Sequence, residues 1–537
     1  MEETPPNPCL SAKTTSHVVC GQTGRVVIII GEFDNTTVQV YSNYSLSEFD
    51  ALSALGSLFT AGIIVFAVVK VPIAKLSNSI GRGYTLVITV SLFTLSYILM
   101  ASASSAVMYA AGNIVYRAAQ SGTNIMTNVV ISDMTTLRQR GLAIAISYFP
   151  FLVTPWVSGL VVESVVNGIG WRWGTGMLAI LMPLGASILT GTLIYFEHKA
   201  KKSKLPPAKR TAIQDFCSDI DLGGIILFVS GFSLFLLPLT MAGSLSDGWK
   251  TPWISALMIL GFVILLLLPV YEKYVAANPI VPASYFRNPT IALSNLLVAI
   301  DSLSFSCTHT YMYAWATVSH NMAPRNATFF VLTSGVSQCL IGILAGFIML
   351  LTGRYKWLVT AGAVIRLVGY GLMIRLRGQH NSMAELFVQQ IIQGTGSGII
   401  QSCLLVAPQV VVPHAQISQV LSLTMSVSFL GYSVGSAIAG GIYTNTLRPE
   451  LWNYMASTAT SEIVDKLYNS ITGVLPTWGT AERDAVNLAY TAVMRNFAYT
   501  ALGASVLLLL LCFFLPNLEL PGYVSQSEQS GVTRDRC

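Results

Sequence analysis

The sequence predicts an all-α integral membrane protein of about fourteen transmembrane helices, on three observations. About thirteen strongly apolar blocks, and a weaker one before them, follow one another along nearly the whole chain. Each block is long enough to cross a hydrocarbon core of about 30 Å as a helix rising about 1.5 Å per residue. Finally, 53% of the residues are hydrophobic and only 10% are charged, against roughly 25% charged residues in soluble domains.

The clear blocks cover residues 51–72, 84–101, 107–131, 141–162, 173–196, 222–241, 252–271, 291–313, 327–351, 357–374, 386–411, 417–442 and 496–515. The weaker block, 25–44, starts with the apolar run VVIII and continues with Glu32 and Asp34. A signal peptide is one alternative, but the run is short for one and no clear cleavage site follows it. An incomplete first helix is another. We expect a first span at this block.

The spans fall into groups of six, two and six. We expect a cytoplasmic tail at 1–24, an N-terminal six-helix bundle at 25–196, a basic linker at 197–220, an inserted helix pair with a cytoplasmic loop at 221–289, a C-terminal six-helix bundle at 290–516 with an outer cap at 444–495, and a cytoplasmic tail at 517–537. Two such bundles, related by an axis along the membrane normal, are typical of carriers that open a central site to each side in turn. A channel would also have many spans, but no filter motif is present.

Basic residues predict the orientation, because short loops rich in Lys and Arg stay on the cytoplasmic side. They occur in alternate loops: Lys75 and Arg82, Arg138 and Arg140, a cluster at 199–210, Lys273 and Arg287, and Arg354 and Lys356. Topology therefore explains the net charge of +6 better than nucleic-acid binding does. Two glycosylation triplets, at Asn43 and Asn326, fall on the predicted outer side.

Enzyme motifs are missing from the sequence. It contains no GxxxxGK[ST] loop, no HExxH and no GxSxG placed between a strand and a helix. The eight cysteines form no CxxC pair, so we expect no metal cluster and no disulfide framework. The chain thus predicts a membrane protein without enzymatic activity, cofactor or bound metal. Transport would have to be driven by an ion gradient, with protons as the default, and we expect a monomer in the bilayer.

Six short motifs carry a resemblance to a known family. They are YAAG at 109–112, ISDMTTLR at 131–138, WRWGTGM at 171–177, TGRYKW at 352–357, YTNTL at 443–447 and GTAERDA at 479–485. In this order they resemble the fungal siderophore-iron transporters of the major facilitator superfamily, over most of the chain. The resemblance implies a major-facilitator fold with about fourteen helices and proton-driven import of ferric chelates. The iron would arrive already enclosed in its siderophore, so the protein need not ligate it.

The chain also departs from the family pattern. In the loop after the second span the superfamily usually places Asp where this chain has Asn78, within KLSNSIGR at 75–82. We take Asn78 and Arg82, together with Asp133 and Arg138 of the ISDMTTLR motif, as candidate gating residues. Arg117 resembles a wider Arg-x-x-Gln-Gly pattern of the superfamily with its glycine one place late, and siderophore transporters generally lack it.

Charged residues inside the predicted spans are the main functional candidates, because a charge at a helix centre costs about 2.5–3.5 kcal/mol on insertion scales. Asp34 lies about 13 Å into the first span and resembles an acidic position of the family's first helix. It is the first candidate for proton coupling. Arg117, about 15 Å along the fourth span, would pair with Asp34 or contact an anionic group of the substrate. For both, a fixed structural ion pair is the alternative.

Two more titratable candidates, Asp301 and His309, lie in the ninth span. They are a little over two helical turns apart, so they share roughly one face. Histidine changes charge near neutral pH, which suits proton coupling, but it can equally be satisfied by a hydrogen bond between helices. Arg366, in an outer helix of the superfamily plan, is expected to be structural.

The twelfth span is rich in amides. Gln390, Gln393, Ser397 and Gln401 recur at helical spacing and line one face. Such a face could bind the carbonyl and hydroxamate oxygens of a bulky polar substrate. The alternative is that the amides bridge helices beside closely packed glycines.

These observations predict a proton-coupled importer of ferric hydroxamate-type siderophores. A proton antiporter that exports a drug or fungal secondary metabolite has the same architecture and is the alternative. A receptor or channel-like membrane protein is a third class. The plasma membrane is the expected location, with vacuolar or endosomal membranes as alternatives.

Overall fold

The computed structural model describes residues 8–134, 149–202, 221–241, 250–275, 285–378, 381–412, 417–455, 460–471 and 475–519. The N-terminal bundle is built from α1 (Pro8–Glu48), α2 (Leu55–Ile80), α3 (Arg82–Ala101), α4 (Ala106–Met134), α5 (Thr154–Asn167), α6 (Trp171–Gly176) and α7 (Leu178–Lys202). The inserted pair is α8 (Leu222–Met241) and α9 (Pro252–Tyr274).

The C-terminal bundle and the cap follow. They consist of α10 (Pro289–His309), α11 (Met312–Ser319), α12 (Pro324–Thr352), α13 (Lys356–Leu376), α14 (Met383–Val406), α15 (Ile417–Met455), α16 (Ser461–Asn469) and α17 (Ala481–Cys512). Short 3-10 helices cover Leu52–Ala54, Phe149–Leu152, Tyr285–Arg287 and Ala407–Val411. The predicted all-α architecture is confirmed.

Nine helical segments in the described ranges are long and apolar enough to cross a membrane, among them Pro289–Ser319, which joins α10 and α11. The other five predicted spans correspond to α1, α2, α4, α5 and α8. Shorter apolar helices lie at Leu52–Ala67 and Leu222–Pro238, within α2 and α8. The α1 span carries Asp34 and the α4 span carries Arg117. The span predicted at 141–162 is described only from residue 149.

Helix ends follow local sequence signals. Gly81 separates α2 from α3 with φ of 108°, a backbone conformation that only glycine adopts at little cost. A capping box starts α14, in which the Ser382 hydroxyl accepts from the Glu385 N–H and the Glu385 carboxylate accepts from the Ser382 N–H. Within the segment predicted as the outer cap, α15 continues to Met455 and α17 starts at Ala481.

The two bundles pack most extensively at one end, which the charge pattern predicts to be outside; we call it the outer end. Tyr44 of α1 and Tyr313 of α11 are hydrogen-bonded there through their hydroxyls at 2.7 Å. Gly159 of α5 makes room for the ring of Phe329 in α12, since a Cβ on this glycine would lie 2.3 Å from it. A narrower seam continues inward between α2 and α15, and α8 packs against both. Toward the opposite end, the described apolar clusters are mainly separate in each bundle.

Candidate functional site

Asp34 lies deep in the N-terminal bundle. Its side chain, on α1, is 1% exposed. The Tyr116 hydroxyl of α4 donates to its Oδ2 at 2.9 Å. Tyr97 of α3 lies beside the same carboxylate but outside hydrogen-bond geometry, and Oδ1 has no hydrogen-bond partner among the described residues. The first helix thus presents a carboxylate to aromatic hydroxyls instead of to a cation.

Arg117 does not pair directly with Asp34. Its Nη1 donates to Oε1 of Gln120 at 3.0 Å, and the Gln120 amide donates to the Tyr116 hydroxyl at 3.2 Å. The two charged groups are therefore connected through Tyr116 and Gln120. Arg117 packs over Gly62 of α2, where a Cβ would lie 2.8 Å from its Cγ. Its Nε is buried and has no hydrogen-bond partner in the described structure.

Asp301 and Arg366 form a fully buried ion pair in the C-terminal bundle. Arg366 Nε donates to Asp301 Oδ1 at 2.7 Å, and both side chains are 0% exposed. Gln401 and Ser397 of α14 both donate to Oδ2 at 3.2 Å. Gln393 accepts from Arg366 at 2.8 Å through its side-chain oxygen. The polar face predicted on this helix therefore exists, and three of its members bind a structural ion pair.

His309, at the end of α10, is held on both ring nitrogens. Its Nδ1 lies 2.9 Å from the Phe305 carbonyl, which can only accept, so Nδ1 carries the proton and donates. Nε2 is then free to accept from the Ser334 hydroxyl at 3.2 Å. The Gln390 amide lies 3.5 Å from the same nitrogen. Asp301 lies eight residues earlier in the sequence, and the described side-chain partners of the two residues differ.

A small cavity lies between the bundles, lined by α1, α2, α10, α11 and α12. Thr36, Gln39 and Asn43 face it from the N-terminal bundle, and His309 and Tyr313 face it from the C-terminal bundle. Its volume of about 10 Å³ has room for roughly one water molecule. Tyr313, which lines the cavity, also forms the hydrogen bond with Tyr44 at the outer end.

Asn43 is a cavity residue and does not fit the expected glycosylation. Helix α1 continues beyond the predicted end of the first span to Glu48, which leaves Asn43 inside the bundle at 3% exposure. Its amide donates to the carbonyl of Gln39. A buried amide cannot accept a glycan. Asn326 is exposed near the start of α12, so its glycosylation stays a prediction.

The gating candidates are only partly described. Asn78 lies in the last turns of α2 and Asp133 at the end of α4, but their side chains are outside the described set, and so is all of Arg138. Arg82 starts α3 and donates to the carbonyl of Ser77 at 3.0 Å. This bond links the ends of α2 and α3 across the turn.

Lys70 is a residue that sequence reasoning missed. It lies near the end of the second predicted span, and its Nζ is 4.5 Å from the ring centre of Phe66 and 4.4 Å from that of Phe429. Because Phe429 belongs to α15, the lysine connects the two bundles through cation–π contacts. A lysine inside an apolar block was the available signal. Among the described residues, no group of His, Cys, Asp and Glu could hold a metal ion.

Comparison with known proteins agrees with this fold. The chain is 28% identical over 515 residues to the "Siderophore iron transporter mirC" of Emericella nidulans, covering 93% of this chain and 84% of the relative. It is 29% identical to the "Siderophore iron transporter 1" of Schizosaccharomyces pombe, covering 89% and 78%. It is also 28% identical to the "Low affinity heme transporter str3" of the same yeast, covering 90% and 79%.

Solved structures support the same fold. A bacterial homologue of the human lysosomal transporter Spinster, in an inward-facing and occupied conformation, superposes with a TM-score of 0.60 at 14% identity, covering 92% of this chain and 96% of that one. A peptide transporter POT in complex with sulfate gives 0.60 at 14% identity, covering 94% and 98%. The fold and the relatives are those of transporters and not of enzymes. The pattern of the Major Facilitator Superfamily matches residues 27–319, more than half of the chain, which therefore belongs to this superfamily of multi-pass membrane transporters.

Proposed function

We propose that this protein is a proton-coupled importer of ferric hydroxamate-type siderophores. The observation that carries the proposal is the carboxylate of Asp34, which is 1% exposed and forms no ion pair among the described residues. It lies on the same helix as Thr36, Gln39 and Asn43, which line the cavity between the bundles. The names of the relatives support the substrate class, since several of them are siderophore iron transporters.

Asp34 would carry the coupled proton. A charged carboxylate at this depth needs compensation. Among the described residues, one hydroxyl donates to Oδ2 at 2.9 Å and Oδ1 has no partner. Proton loss would create a negative charge that Tyr116 and, through Gln120, Arg117 can stabilise. Rearrangement of α1 against α4 would therefore be coupled to the protonation of this group.

The cavity would bind the chelate when the bundles separate. Gln39 and Asn43 supply side-chain amides from the N-terminal bundle, and Tyr313 supplies a hydroxyl from the C-terminal bundle once its bond to Tyr44 opens. Arg117 supplies a fixed positive charge, because a guanidinium does not lose its proton in proteins. Hydroxamate and carbonyl oxygens are acceptors that such donors can bind. Gln390 would position His309 and is not itself expected to contact substrate.

Asp301 would stabilise the C-terminal bundle instead of carrying the proton. Its two oxygens have three side-chain partners, one of them the Arg366 guanidinium. Gln393 and Gln401 would belong to the same structural network. We expect the protein to act as a monomer and in the plasma membrane; the internal membranes of the cell are the alternative location.

The test is uptake of radio-iron by yeast cells that lack their own siderophore carriers and express this chain. The panel contains several ferric hydroxamates and haem, because one relative is a haem transporter. Accumulation of ferric hydroxamate that is abolished by a protonophore is expected for the wild type, and loss of accumulation for Asp34→Asn. Asp465→Asn is the matched control, since this acid forms an exposed ion pair in the cap, and such pairs contribute little.

Three outcomes would contradict parts of the proposal. Accumulation that survives Asp34→Asn would remove this residue from proton coupling but leave import intact. Accumulation of haem alone would change the substrate. No accumulation by a protein shown to be at the cell surface, together with faster efflux of a metabolite, would favour the exporter.

A further inference from the structure

Three arginines are buried in the C-terminal bundle and beneath the cap, and two of them have clear partners. Arg366 has the carboxylate of Asp301 at 2.7 Å. Arg483 donates to the Val318 carbonyl at 2.6 Å. The third, Arg377, follows the last turn of α13 at the outer end and is 2% exposed.

The contacts of Arg377 are weak. Its Nη1 lies 3.5 Å from the Thr308 carbonyl and its Nη2 lies 3.8 Å from the Met312 sulfur, whereas strong hydrogen bonds between nitrogen and oxygen measure about 2.7–3.2 Å. Its Nε has no partner in the part of the chain that the structure describes. Its guanidinium lies 5.6 Å from the ring centre of Trp315, a contact that compensates only part of a buried charge.

Among the described residues, no ion pair involves Arg377. The sequence contains no Asp or Glu between Asp301 and Glu385. Asp301 is paired with Arg366, and Glu385 accepts hydrogen bonds from Asn381 and from the Ser382 N–H in the capping box. An arginine keeps its charge when buried, and an uncompensated buried charge is strongly destabilising.

Other polar atoms around Arg377 are also unpaired. The indole N–H of Trp315 and the hydroxyl of Ser319, one turn further along α11, are buried and have no hydrogen-bond partner among the described atoms. The ring of His320 lies 4.6 Å from that of Trp315, and its Nε2 is likewise unpaired. A buried cation and unpaired donors therefore occur together, and no carboxylate in the described part of the chain forms an ion pair with this cation.

We propose that this cluster, formed by Arg377, Trp315, Ser319 and His320, binds a small inorganic anion such as chloride. The anion neutralises the guanidinium and accepts from the indole N–H and the serine hydroxyl. Because all these groups lie where α11 and α13 meet at the outer end, an anion here stabilises the attachment of α11 to its bundle. The ligand is small, since the cluster is enclosed.

The experiment uses the full-length protein purified in detergent in sodium gluconate. Sodium chloride, bromide or sulfate is titrated at constant ionic strength, and thermal unfolding is followed. For the wild type we expect a saturable rise of the unfolding midpoint with chloride and bromide, and none with the larger sulfate. Arg377→Gln should lose this rise. Arg375→Gln is the matched control, because it removes an exposed arginine of the same helix and should keep it.

A second variant keeps the test decisive if Arg377→Gln does not fold. Trp315→Phe retains the ring and removes only the N–H, and should raise the half-saturating chloride concentration about tenfold, as expected for loss of one hydrogen bond to a charged partner. A wild type that does not respond to chloride would overturn the proposal, since water then satisfies the donors. A response that is unchanged in both Arg377→Gln and Trp315→Phe would also overturn it.

Discussion

Removal of one partner of the Asp301–Arg366 pair should destabilise the C-terminal bundle severely. In Asp301→Asn the side-chain oxygen can still accept from Arg366 at the 2.7 Å position, but the negative charge is lost. The new NH₂ group of the asparagine would then face the Gln401 NH₂ group, which at present donates to Asp301 Oδ2 at 3.2 Å. Two donors would face each other, and this hydrogen bond would be lost. An uncompensated guanidinium at 0% exposure costs about 3–5 kcal/mol when its partner is removed.

The assay is a double-mutant cycle on the purified protein, with thermal or denaturant unfolding as the readout. The single variants of the cycle are Asp301→Leu and Arg366→Met. Each should cost a similar amount, because each leaves one buried charge without its oppositely charged partner. The double variant Asp301→Leu/Arg366→Met should recover most of the lost stability, since an apolar pair of similar volume often replaces a buried ion pair without net cost. Strong non-additivity is therefore expected.

Two results would refute this reasoning. One is a double variant whose loss equals the sum of the losses of the single variants. The other is Asp301→Asn that keeps wild-type stability but loses proton-dependent uptake, which would make Asp301 a proton carrier instead of a structural residue.

Three further predictions concern the outer end. Gly56→Leu should hold the bundles apart there and abolish uptake, because a Cβ on Gly56 would already lie 2.7 Å from the Gly440 backbone. A cysteine introduced between the bundles should then be labelled faster from outside. Unchanged labelling would contradict this prediction. Glu163→Gln should slightly weaken the contact between the bundles at the outer end, since the 3.5 Å contact of Glu163 with Arg325 joins them at a partly exposed site. An effect of the same size in high salt would argue against an ionic cause. Burial raises the pKa of Glu48, but hydrogen bonds from Arg172 and Trp171 outweigh it and hold this pKa below its usual value of 4.5. Glu48→Gln should therefore lower stability at neutral pH, and the difference from the wild type should disappear at a pH below that pKa, where the wild-type carboxyl is protonated. A stability difference that persists in acid would contradict this.

The charged candidates could be found from the sequence, but their partners could not. An acid or arginine inside an apolar block is visible in one dimension, and Asp34, Arg117 and Asp301 were identified in this way. The pairing of Asp301 with Arg366 joins residues 65 positions apart, and nothing in the spacing of a single helix specifies it. Arg366 was expected to be structural from the outer position of its helix alone, without a named partner.

Two other residues show what local patterns leave out. The triplet at Asn43 was interpreted as a surface site because the predicted first span ended at residue 44, whereas α1 continues to Glu48 and buries the amide. Lys70 was overlooked because lysines near the end of a span usually extend to the cytoplasmic surface. Its position between Phe66 and Phe429 depends on the packing of α2 against α15.

The most direct test of the account is proton movement in reconstituted vesicles. Full-length protein is placed in liposomes that contain a pH-sensitive dye, and a ferric hydroxamate is added outside. We predict that the lumen acidifies as the chelate accumulates, and that Asp34→Asn binds the chelate without acidification. Accumulation with no change of lumenal pH, or acidification by Asp34→Asn at the wild-type rate, would contradict proton coupling through this carboxylate.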